Sequence, residues 1–338
     1  MAMPTVKLDA SEISFDCAPG DSMLRSALRH GIGFPYECGV GACGTCKFEL
    51  LSGAVDSLWA EATGLSERDR KKGRHLGCQA IPLETCSVKV RLDDHCRPEI
   101  IPVRRKVAFT GYRDITHDIR EFTFVGGDRA DFLPGQFALL TLPQVAGDRA
   151  YSMANLANDK GEWKFQVRRH PDGSATTLLF DGLAPGQEIF LDAPYGMAYL
   201  RTDSSRDIVC ISGGSGIAPM LSIAQGKARD ERLAEKSLHF FFGGRTPADI
   251  CGEDILRDLP GYGSKLHYYA AVSDADAAHG WPGPVGLIHE LVASKLKEAL
   301  AAYEFYLAGP PPMIQAVQNL LVSEHKVPSS QIHFDRFF

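Results

Sequence analysis

The 338-residue sequence lacks several features that would each assign it to a class of protein. It contains no apolar run of about 18 residues, the length needed by a membrane-spanning helix, so no transmembrane protein is predicted. It has no excess of positive charge, since its formal net charge is -6, so non-specific nucleic-acid binding is not predicted. It also lacks low-complexity tracts and repeats of about 20 to 50 residues, which excludes fibrous, disordered and solenoid proteins.

The beginning of the sequence lacks the basic and apolar layout of a secretory signal peptide. Residues 1–14 alternate apolar and polar side chains, which is typical of a strand with one buried face. Cysteine is not scarce, since the chain has nine, but a disulfide framework is typical of much shorter secreted chains. We therefore expect a cytoplasmic protein whose cysteines serve another purpose.

Three of the nine cysteines stand close together in the sequence YECGVGACGTC, and this density indicates metal binding. Cys38, Cys43 and Cys46 are spaced C-x4-C-x2-C, and Cys78 follows after thirty-one residues, which is the plant-type 2Fe-2S spacing. Two irons with two protein ligands each require these four thiolates. Zinc is disfavoured because its structural sites use two close cysteine pairs, and this sequence has one. Cys86 is a rival fourth ligand, but it is interpreted as a thiol at a strand start.

The cysteine loop is rich in glycine. Gly39, Gly41 and Gly44 reach positive φ values and let backbone N–H groups approach the cluster sulfurs. Around this loop we predict a strand pair in residues 4–17 and a helix in residues 21–30. A further strand is predicted in residues 47–51. This order of elements resembles plant-type ferredoxins over residues 4–95, which implies a β-grasp ferredoxin domain.

The middle of the chain follows a proline-containing linker and is predicted to be rich in strands. Strands are expected at residues 106–112, 119–125, 137–142 and 163–169, which favours an antiparallel β-barrel. Arg149, Tyr151 and Ser152 form the sequence RAYS, which resembles the RxYS flavin motif of the ferredoxin-NADP reductase superfamily. The resemblance implies that the arginine binds the FAD diphosphate, the tyrosine stacks on the isoalloxazine ring and Ser152 lies near flavin N5.

A second stretch resembles the other flavin segment of that superfamily. Arg168 precedes it, and it contains Gly173, Ala175 and Thr176. The resemblance implies a turn that leads into a helix whose N-terminus faces the diphosphate, so these four residues are expected to bind FAD. Residues 194–196, with the sequence PYG, resemble the turn that closes the barrel. Tyr195 there is interpreted either as a flavin contact or as a packing residue.

From residue 207 onward, strands alternate with helices, which predicts a doubly wound parallel sheet. Strands are expected at residues 208–212, 238–242, 266–271 and 303–308. Helices are expected from residue 219, near residues 253–259, at residues 287–300 and from residue 312. The first turn carries Gly214, Ser215 and Gly216 in the sequence GGSGIAP, which resembles the GGxGIxP nicotinamide motif of the same superfamily. Gly309 and Pro310, in AGPP, resemble the family's CGPP, with Ala308 in place of the cysteine.

Arg245 follows the second strand of this sheet and is interpreted as a contact to ribose or phosphate, with a plain surface arginine as the alternative. NADH is favoured because no further basic residue follows to hold a 2′-phosphate, and Asp249 is placed to bond a ribose hydroxyl. NADPH stays open. Phe338 is expected to cover the flavin, a habit of the family, or to pack in the core.

The order of ferredoxin, flavin barrel and nicotinamide domain resembles the reductase components of bacterial multicomponent oxygenases, of the toluene monooxygenase and aromatic-ring dioxygenase type. The resemblance implies domains at residues 1–97, 102–203 and 206–338 that carry a 2Fe-2S cluster, FAD and NADH. It implies an oxidoreductase that passes electrons from NADH through FAD and the cluster to a ferredoxin or oxygenase component acting on aromatic or alkene hydrocarbons. The chain is expected to be monomeric alone. The alternatives are a free-standing diaphorase for quinones or ferric compounds and a redox-sensing cluster protein.

Overall fold

A computed structural model describes residues 3–9, 11–296 and 300–337. The backbone groups into two compact units. The first unit comprises Met1–Arg105, Ala138–Ala150 and Phe190–Met197, and the second comprises Lys106–Phe137, Tyr151–Ile189 and Ala198–Phe338. Among the described residues, no helix has the length and apolar character needed to cross a bilayer.

The N-terminal part forms a five-stranded sheet and a two-stranded ribbon. The sheet order is β2-β1-β7-β3-β5, with β1 antiparallel to β2 and parallel to β7, while β4 pairs with β6 in the ribbon. The predicted strand pair, helix and β-grasp fold are therefore confirmed. The elements are β1 (Thr5–Leu8), β2 (Ser14–Asp16), α1 (Met23–Arg29), β3 (Lys47–Ser52), β4 (Val55–Ser57), α2 (Glu67–Lys71), β5 (Arg74–Leu76), β6 (Ala80–Pro82) and β7 (Cys86–Lys89).

The local sequence explains both ends of helix α1. Ser22 stands before its first residue, and its Oγ accepts a hydrogen bond from the Arg25 N–H at 3.4 Å, which satisfies one open donor of the first turn. Gly31 follows the last turn with a φ of +70°, a conformation that favours glycine. The helix buries an apolar face made by Met23, Leu24, Ala27 and Leu28, so packing rather than propensity holds it in place.

The middle part forms a six-stranded antiparallel barrel with the strand order β11-β10-β13-β8-β9-β12. All four predicted strands are present. Pro194 and Tyr195 were predicted in a turn, but they are the last residues of β13, because the fixed φ of proline also suits an extended strand end. The elements are β8 (Val103–Asp114), β9 (Ile119–Val125), β10 (Phe137–Thr141), β11 (Arg149–Ser152), β12 (Glu162–Arg168), α3 (Ser174–Thr177) and β13 (Glu188–Tyr195).

The C-terminal part forms a five-stranded sheet with the order β16-β15-β14-β17-β18, and every pair in it is parallel. The expected doubly wound sheet is confirmed. Apolar clusters cover both of its faces, one around Phe241 and Leu307 and the other around Phe240 and Tyr306. The elements are β14 (Asp207–Gly213), α4 (Ile217–Arg229), β15 (Leu238–Gly244), α5 (Glu253–Arg257), β16 (Leu266–Val272), α6 (Ile288–Lys295), β17 (Tyr303–Gly309), α7 (Pro311–Gln318) and β18 (Ile332–Arg336).

Three details of the C-terminal part differ from the sequence prediction. Strand β18 was not predicted; it adds to the edge of β17, with Ala308 opposite Asp335. The predicted helix at residues 287–300 ends at Lys295 as α6, and residues 297–299 lie outside the described residues. Helix α4 begins at Ile217, two residues before the predicted start at Pro219, because a proline suits the first turn of a helix.

Candidate functional site

The cysteine loop between α1 and β3 is shaped by glycines at positive φ. Gly39, Gly41 and Gly44 have φ values of 67°, 93° and 78°, as the sequence predicted. The loop is also tightly packed, because a Cβ added to Gly44 would lie 2.6 Å from the carbonyl oxygen of Gly64. The Gly64 N–H in turn donates to the Gly41 carbonyl at 2.9 Å. Glycine is therefore required here for both backbone conformation and space.

The loop brings the four expected thiols together as two pairs. The Sγ atoms of Cys46 and Cys78 lie 3.4 Å apart, although thirty-one residues separate them in the chain. Cys38 and Cys43 form the second pair, joined by a side-chain hydrogen bond. Two thiolates on one tetrahedral metal with bonds of about 2.3 Å lie about 3.8 Å apart, so each pair is close to the geometry needed to bind one metal atom.

Backbone and side-chain donors surround these sulfurs. The Cys43 N–H donates to the Cys38 Sγ at 3.4 Å, the Thr45 N–H donates to the Cys43 Sγ at 3.4 Å, and the Gln79 amide donates to Cys78 at 3.5 Å. The thiol of Cys38 lowers the pKa of Cys43 to about 5, and the thiol of Cys46 lowers the pKa of Cys78. The pKa of one member of each pair is thus lowered, which favours the thiolate, the form that binds iron. The donor set fits a 2Fe-2S cluster.

The other cysteines have different surroundings. The Cys86 Sγ faces the carbonyl oxygens of Glu84 at 3.2 Å and Ala54 at 3.4 Å, and burial raises its pKa. Burial likewise raises the pKa of the thiols of Cys17, Cys96, Cys210 and Cys251. Cys17, Cys86, Cys96 and Cys210 are buried and Cys251 is partly buried, which is typical of cysteines that act as small apolar residues.

Strand β11 carries the RAYS motif. The Nη1 of Arg149 donates to the carbonyl oxygens of Ala146, Gly147 and Asp148 at distances of 2.9, 3.4 and 3.2 Å. Tyr151 is half-buried, and Ser152 is 7% exposed. The guanidinium is held by neutral carbonyl groups, so its charge remains available to an anion.

The second flavin segment begins a helix, as predicted. Gly173 stands at the N-terminus of α3, which continues into the turn Leu178–Gly182. Thr176 closes the preceding turn, because its Oγ1 donates to the carbonyl of His170 at 3.0 Å and accepts from the His170 N–H at 3.2 Å. Ala175 is buried beside it. The N–H groups of the first turn of a helix are suited to bind phosphate oxygens.

Arg168 has a more complex environment than the sequence indicated. Its Nε donates to the Asp118 carboxylate at 2.6 Å, and its Nη2 lies 3.9 Å from a carboxylate oxygen of Asp249. Its Nη1 is 3.5 Å from the position of a Cβ on Gly214. The end of β12 and the glycine loop therefore meet at this side chain. No sequence pattern marked Asp118 as its partner.

The glycine loop after β14 packs directly on the end of β17. A Cβ on Gly216 would lie 2.1 Å from the carbonyl oxygen of Ala308, and a Cβ on Gly309 would lie 3.1 Å from the carbonyl of Gly213. Gly214 has a φ of +57° and Gly309 a φ of +147°. Pro310 then stands at the N-cap of α7. The carboxyl ends of the two central parallel strands form the crevice in which nucleotides bind in such sheets.

Arg245 and Asp249 lie at the same edge, after β15. The side chain of Arg245 is exposed, and its N–H donates to Asp249 Oδ2 at 3.0 Å. That oxygen also accepts from the Thr246 N–H at 2.8 Å, so it caps the short 3-10 turn Pro247–Asp249. The other carboxylate oxygen lies 3.9 Å from His117 and from Arg168. One carboxylate oxygen of Asp249 therefore accepts hydrogen bonds from the backbone of its own loop, and the other lies near the His117 imidazole and the Arg168 guanidinium.

The two remaining positions of interest lie near the chain end. Ala308 is fully buried in the apolar cluster that contains Ile217 and Tyr306, so a small side chain fits at this position. Phe338 lies outside the described residues. The preceding Phe337 packs against the same cluster, and its N–H donates to the Gly309 carbonyl at 3.0 Å.

Three domain families match the chain in the order that its folds suggest. A 2Fe-2S iron-sulfur cluster binding domain matches residues 6–83, an oxidoreductase FAD-binding domain matches residues 106–199, and an oxidoreductase NAD-binding domain matches residues 210–319. The chain is therefore an iron-sulfur flavoprotein oxidoreductase that uses a 2Fe-2S cluster, FAD and a nicotinamide nucleotide. The cofactors expected from the sequence are confirmed at this level.

Characterised proteins resemble the chain over nearly its whole length. Ferredoxin–NAD(P)+ reductase CarAd of Metapseudomonas resinovorans is 43% identical over 95% of this chain and 96% of the relative. The ferredoxin–NAD+ reductase component of the alkene monooxygenase system of Xanthobacter autotrophicus is 39% identical over 96% and 98%. Xylene/toluene monooxygenase electron transfer component XylA of Pseudomonas putida is 33% identical over 99% and 93%.

A solved structure of a ferredoxin reductase in carbazole 1,9a-dioxygenase aligns with a TM-score of 0.90 and 38% identity, covering 100% of this chain and 99% of that one. The chain belongs to the family of ferredoxin–NAD(P)+ reductases that serve as electron-transfer components of multicomponent oxygenases. The family resemblance seen in the sequence is thereby confirmed.

Proposed function

We propose that the chain takes a hydride from NADH near Gly214–Gly216, passes electrons through FAD near β11, and releases them one at a time from the cysteine loop. The observation that carries the proposal is the gathering of four thiols into two close pairs in the same chain as a flavin motif and a nicotinamide loop. FAD accepts the two electrons of a hydride and a 2Fe-2S cluster accepts one, so one NADH supplies two single-electron outputs.

Each cofactor is assigned to a set of residues in this proposal. The cluster is held by Cys38 and Cys43 on one iron and by Cys46 and Cys78 on the other. FAD is bound by Arg149, Tyr151, Ser152, Arg168, Gly173, Ala175 and Thr176. The nicotinamide nucleotide is bound by Gly214, Ser215, Gly216, Arg245, Gly309 and Pro310, within the domain bounds 102–203 and 206–338 predicted for the two nucleotides.

We also propose NADH as the preferred donor. The carboxylates of Asp118 and Asp249 both lie near the Arg168 guanidinium, and Asp249 belongs to the turn that follows β15. Arg245 is the single basic residue in residues 245–249. A 2′-phosphate there would meet the Asp249 charge, whereas a ribose hydroxyl would donate to it. The same carboxylate also shapes the loop, so its two roles depend on different oxygens.

The acceptor is proposed to be a ferredoxin or an oxygenase component that acts on an aromatic or alkene hydrocarbon. Support comes from the relatives, whose names place them in carbazole, alkene and xylene or toluene oxygenase systems. A cytoplasmic monomer is the proposed state; nine free cysteines are consistent with a reducing compartment.

Replacement of Cys43 by serine distinguishes electron transfer out of the flavin from electron transfer out of the cluster. Because serine is a poor iron ligand, we expect the variant to lose NADH-dependent cytochrome c reduction while keeping ferricyanide reduction at the flavin. Cys86→Ser is the matched control, since Cys86 faces carbonyl groups rather than the other thiols, and it should keep both activities. Equal loss of both activities in Cys43→Ser would contradict the proposed electron order.

A further inference from the structure

The first compact unit contains a contact between the N-terminal part of the chain, which carries the cysteine loop, and two segments of the barrel, residues 138–150 and 190–197. We call it the α1–barrel contact, and we call the N-terminal part the module. On the module side it consists of Arg25, Arg29 and Tyr36, and on the barrel side of Asp148, Asp192 and Gly196. Sequence patterns marked none of the four charged residues among them.

The first part of the contact is a buried ion pair. The Arg25 guanidinium, whose side chain is 8% exposed, pairs with the Asp148 carboxylate, which is 12% exposed. Burial alone would raise the pKa of the Asp148 carboxyl, but the charge of Arg25 and a hydrogen bond from Thr141 lower it on balance. The pair therefore stays ionised in a place where charges are costly to bury.

A second pair lies one turn farther along α1. The Arg29 guanidinium donates to Asp192 at 2.6 Å and to Asp21 at 2.9 Å. The Asp192 side chain is 4% exposed. One helix thus contacts two different barrel segments through residues spaced i and i+4, which lie on the same helix face.

The third part involves the cysteine loop itself. The hydroxyl of Tyr36 accepts a hydrogen bond from the Gly196 N–H at 2.9 Å, and the tyrosine is 7% exposed. Its ring meets Tyr195 edge to face with 6.4 Å between centroids. Tyr36 stands two residues before Cys38, so this bond joins the loop that carries the thiols to the end of β13.

One barrel residue of the contact, Asp148, adjoins the flavin motif. Asp148 directly precedes Arg149, and it belongs to the group of carbonyls that receive the Arg149 guanidinium. A covalent linker already joins the two parts of the chain, and buried ion pairs are weak contributors to net stability. What such a contact supplies is a single fixed geometry, which matters where two redox centres must stay at one separation.

We propose that Tyr36, with the Arg25–Asp148 and Arg29–Asp192 pairs, positions the cysteine loop against the barrel segments 138–150 and 190–197, the first of which leads into the flavin motif, so that electrons reach the cluster in one fixed arrangement. These five residues and Gly196 are then positioning residues rather than ligands. It rests on the proposed electron route from FAD to the cluster. The contact is intramolecular, so its rate consequence does not depend on protein concentration.

The test removes the hydroxyl oxygen of Tyr36. Tyr36→Phe removes the acceptor of the Gly196 N–H and keeps the ring, and Tyr112→Phe is the matched control because Tyr112 is 55% exposed on the barrel. A hydrogen bond of this kind shifts an equilibrium by a factor of about five. In Tyr36→Phe we expect amide hydrogen exchange of residues 190–197 to accelerate by about fivefold and NADH-driven cluster bleaching to slow by a similar factor.

The remaining readouts separate positioning from general damage. Ferricyanide reduction and the electron paramagnetic resonance spectrum of the dithionite-reduced cluster should match those of the Tyr112→Phe control. A double variant, Tyr36→Phe with Asp192→Asn, should slow cluster bleaching further. Unchanged exchange and bleaching in Tyr36→Phe, or equal losses of ferricyanide reduction and bleaching, would overturn the positioning proposal. Failure of NADH to reduce the cluster in the unsubstituted protein would instead overturn the proposed function.

Discussion

Substitution of Gly216 by alanine tests the packing of the glycine loop after β14 against β17. The backbone itself permits alanine, because Gly216 has a φ of -60° and a ψ of -11° at the start of α4. Relief of backbone entropy and better helix propensity would stabilise the variant by about 1 kcal/mol if nothing else changed. An opposite effect comes from the new methyl group, which would lie 2.1 Å from the Ala308 oxygen and 2.5 Å from its carbonyl carbon.

The steric effect is expected to win. An ordinary contact begins at 3.4 Å, so the loop and strand must separate by more than an ångström, and the atoms in the way belong to the backbone. Ala308 cannot swing aside, because its strand pairs with Ser212 on one side and Asp335 on the other. Overpacking of this kind costs about 1–3 kcal/mol, or more where the backbone is involved. We predict a net loss of about 2 kcal/mol, close to 4–8 °C in unfolding midpoint for a unit of this size.

Three measurements and one control variant define the outcome. Thermal unfolding should show the lower midpoint. The KM for NADH in ferricyanide reduction should rise, because Gly309, a proposed nicotinamide contact, moves with β17. Dithionite reduction of the cluster should be unchanged. Gly182→Ala is the control, since its Cβ would meet only the flexible Cδ1 of Leu178, at 3.0 Å. A Gly216→Ala variant that is as stable as the parent and binds NADH equally well would refute the packing argument.

Three further predictions follow from single side chains. Arg149→Met should release FAD more readily, measured as free flavin fluorescence after dilution, because the forked cation that is proposed to bind the diphosphate is lost. Asp249→Asn should lower the ratio of kcat/KM for NADH over NADPH by about tenfold, since a charge that opposes a 2′-phosphate is removed; an unchanged ratio would contradict the assignment. Burial alone would raise the pKa of the Glu304 carboxyl, but hydrogen bonds from His333 and Ser204 lower it on balance. Its contribution to stability is therefore present above its ordinary pKa of about 4.3 and is lost as pH falls through the lower folded value. Glu304→Gln should flatten this acid limb of the unfolding free energy, and an equally steep limb would contradict the assignment.

Motifs carried by short contiguous segments could be predicted from the sequence. Cys38, Cys43 and Cys46 have a spacing that reflects how one loop wraps a cluster, and the positive φ values of their glycines follow from the same wrapping. The alternation of strands and helices after residue 207 also determined the sheet type, because a parallel sheet needs crossover helices. Local chemistry and local periodicity were therefore sufficient for these features.

Contacts between distant segments could not be predicted. Arg25 meets Asp148 across more than a hundred residues, and Arg168 meets Asp118 through the pairing of β12 with β9. Surface arginines and aspartates are common, and nothing in their spacing distinguishes these from solvated charges. Strand β18 was missed for a related reason, because an edge strand is defined by the neighbour it pairs with.

The most direct test of the electron route is removal of FAD from the purified protein. The deflavinated protein is mixed with NADH under anaerobic conditions, and the cluster is followed by its visible absorbance and by electron paramagnetic resonance. The proposed route predicts that NADH leaves the cluster oxidised while dithionite still reduces it, and that added FAD restores reduction by NADH. Reduction of the cluster by NADH in the absence of FAD would contradict the route.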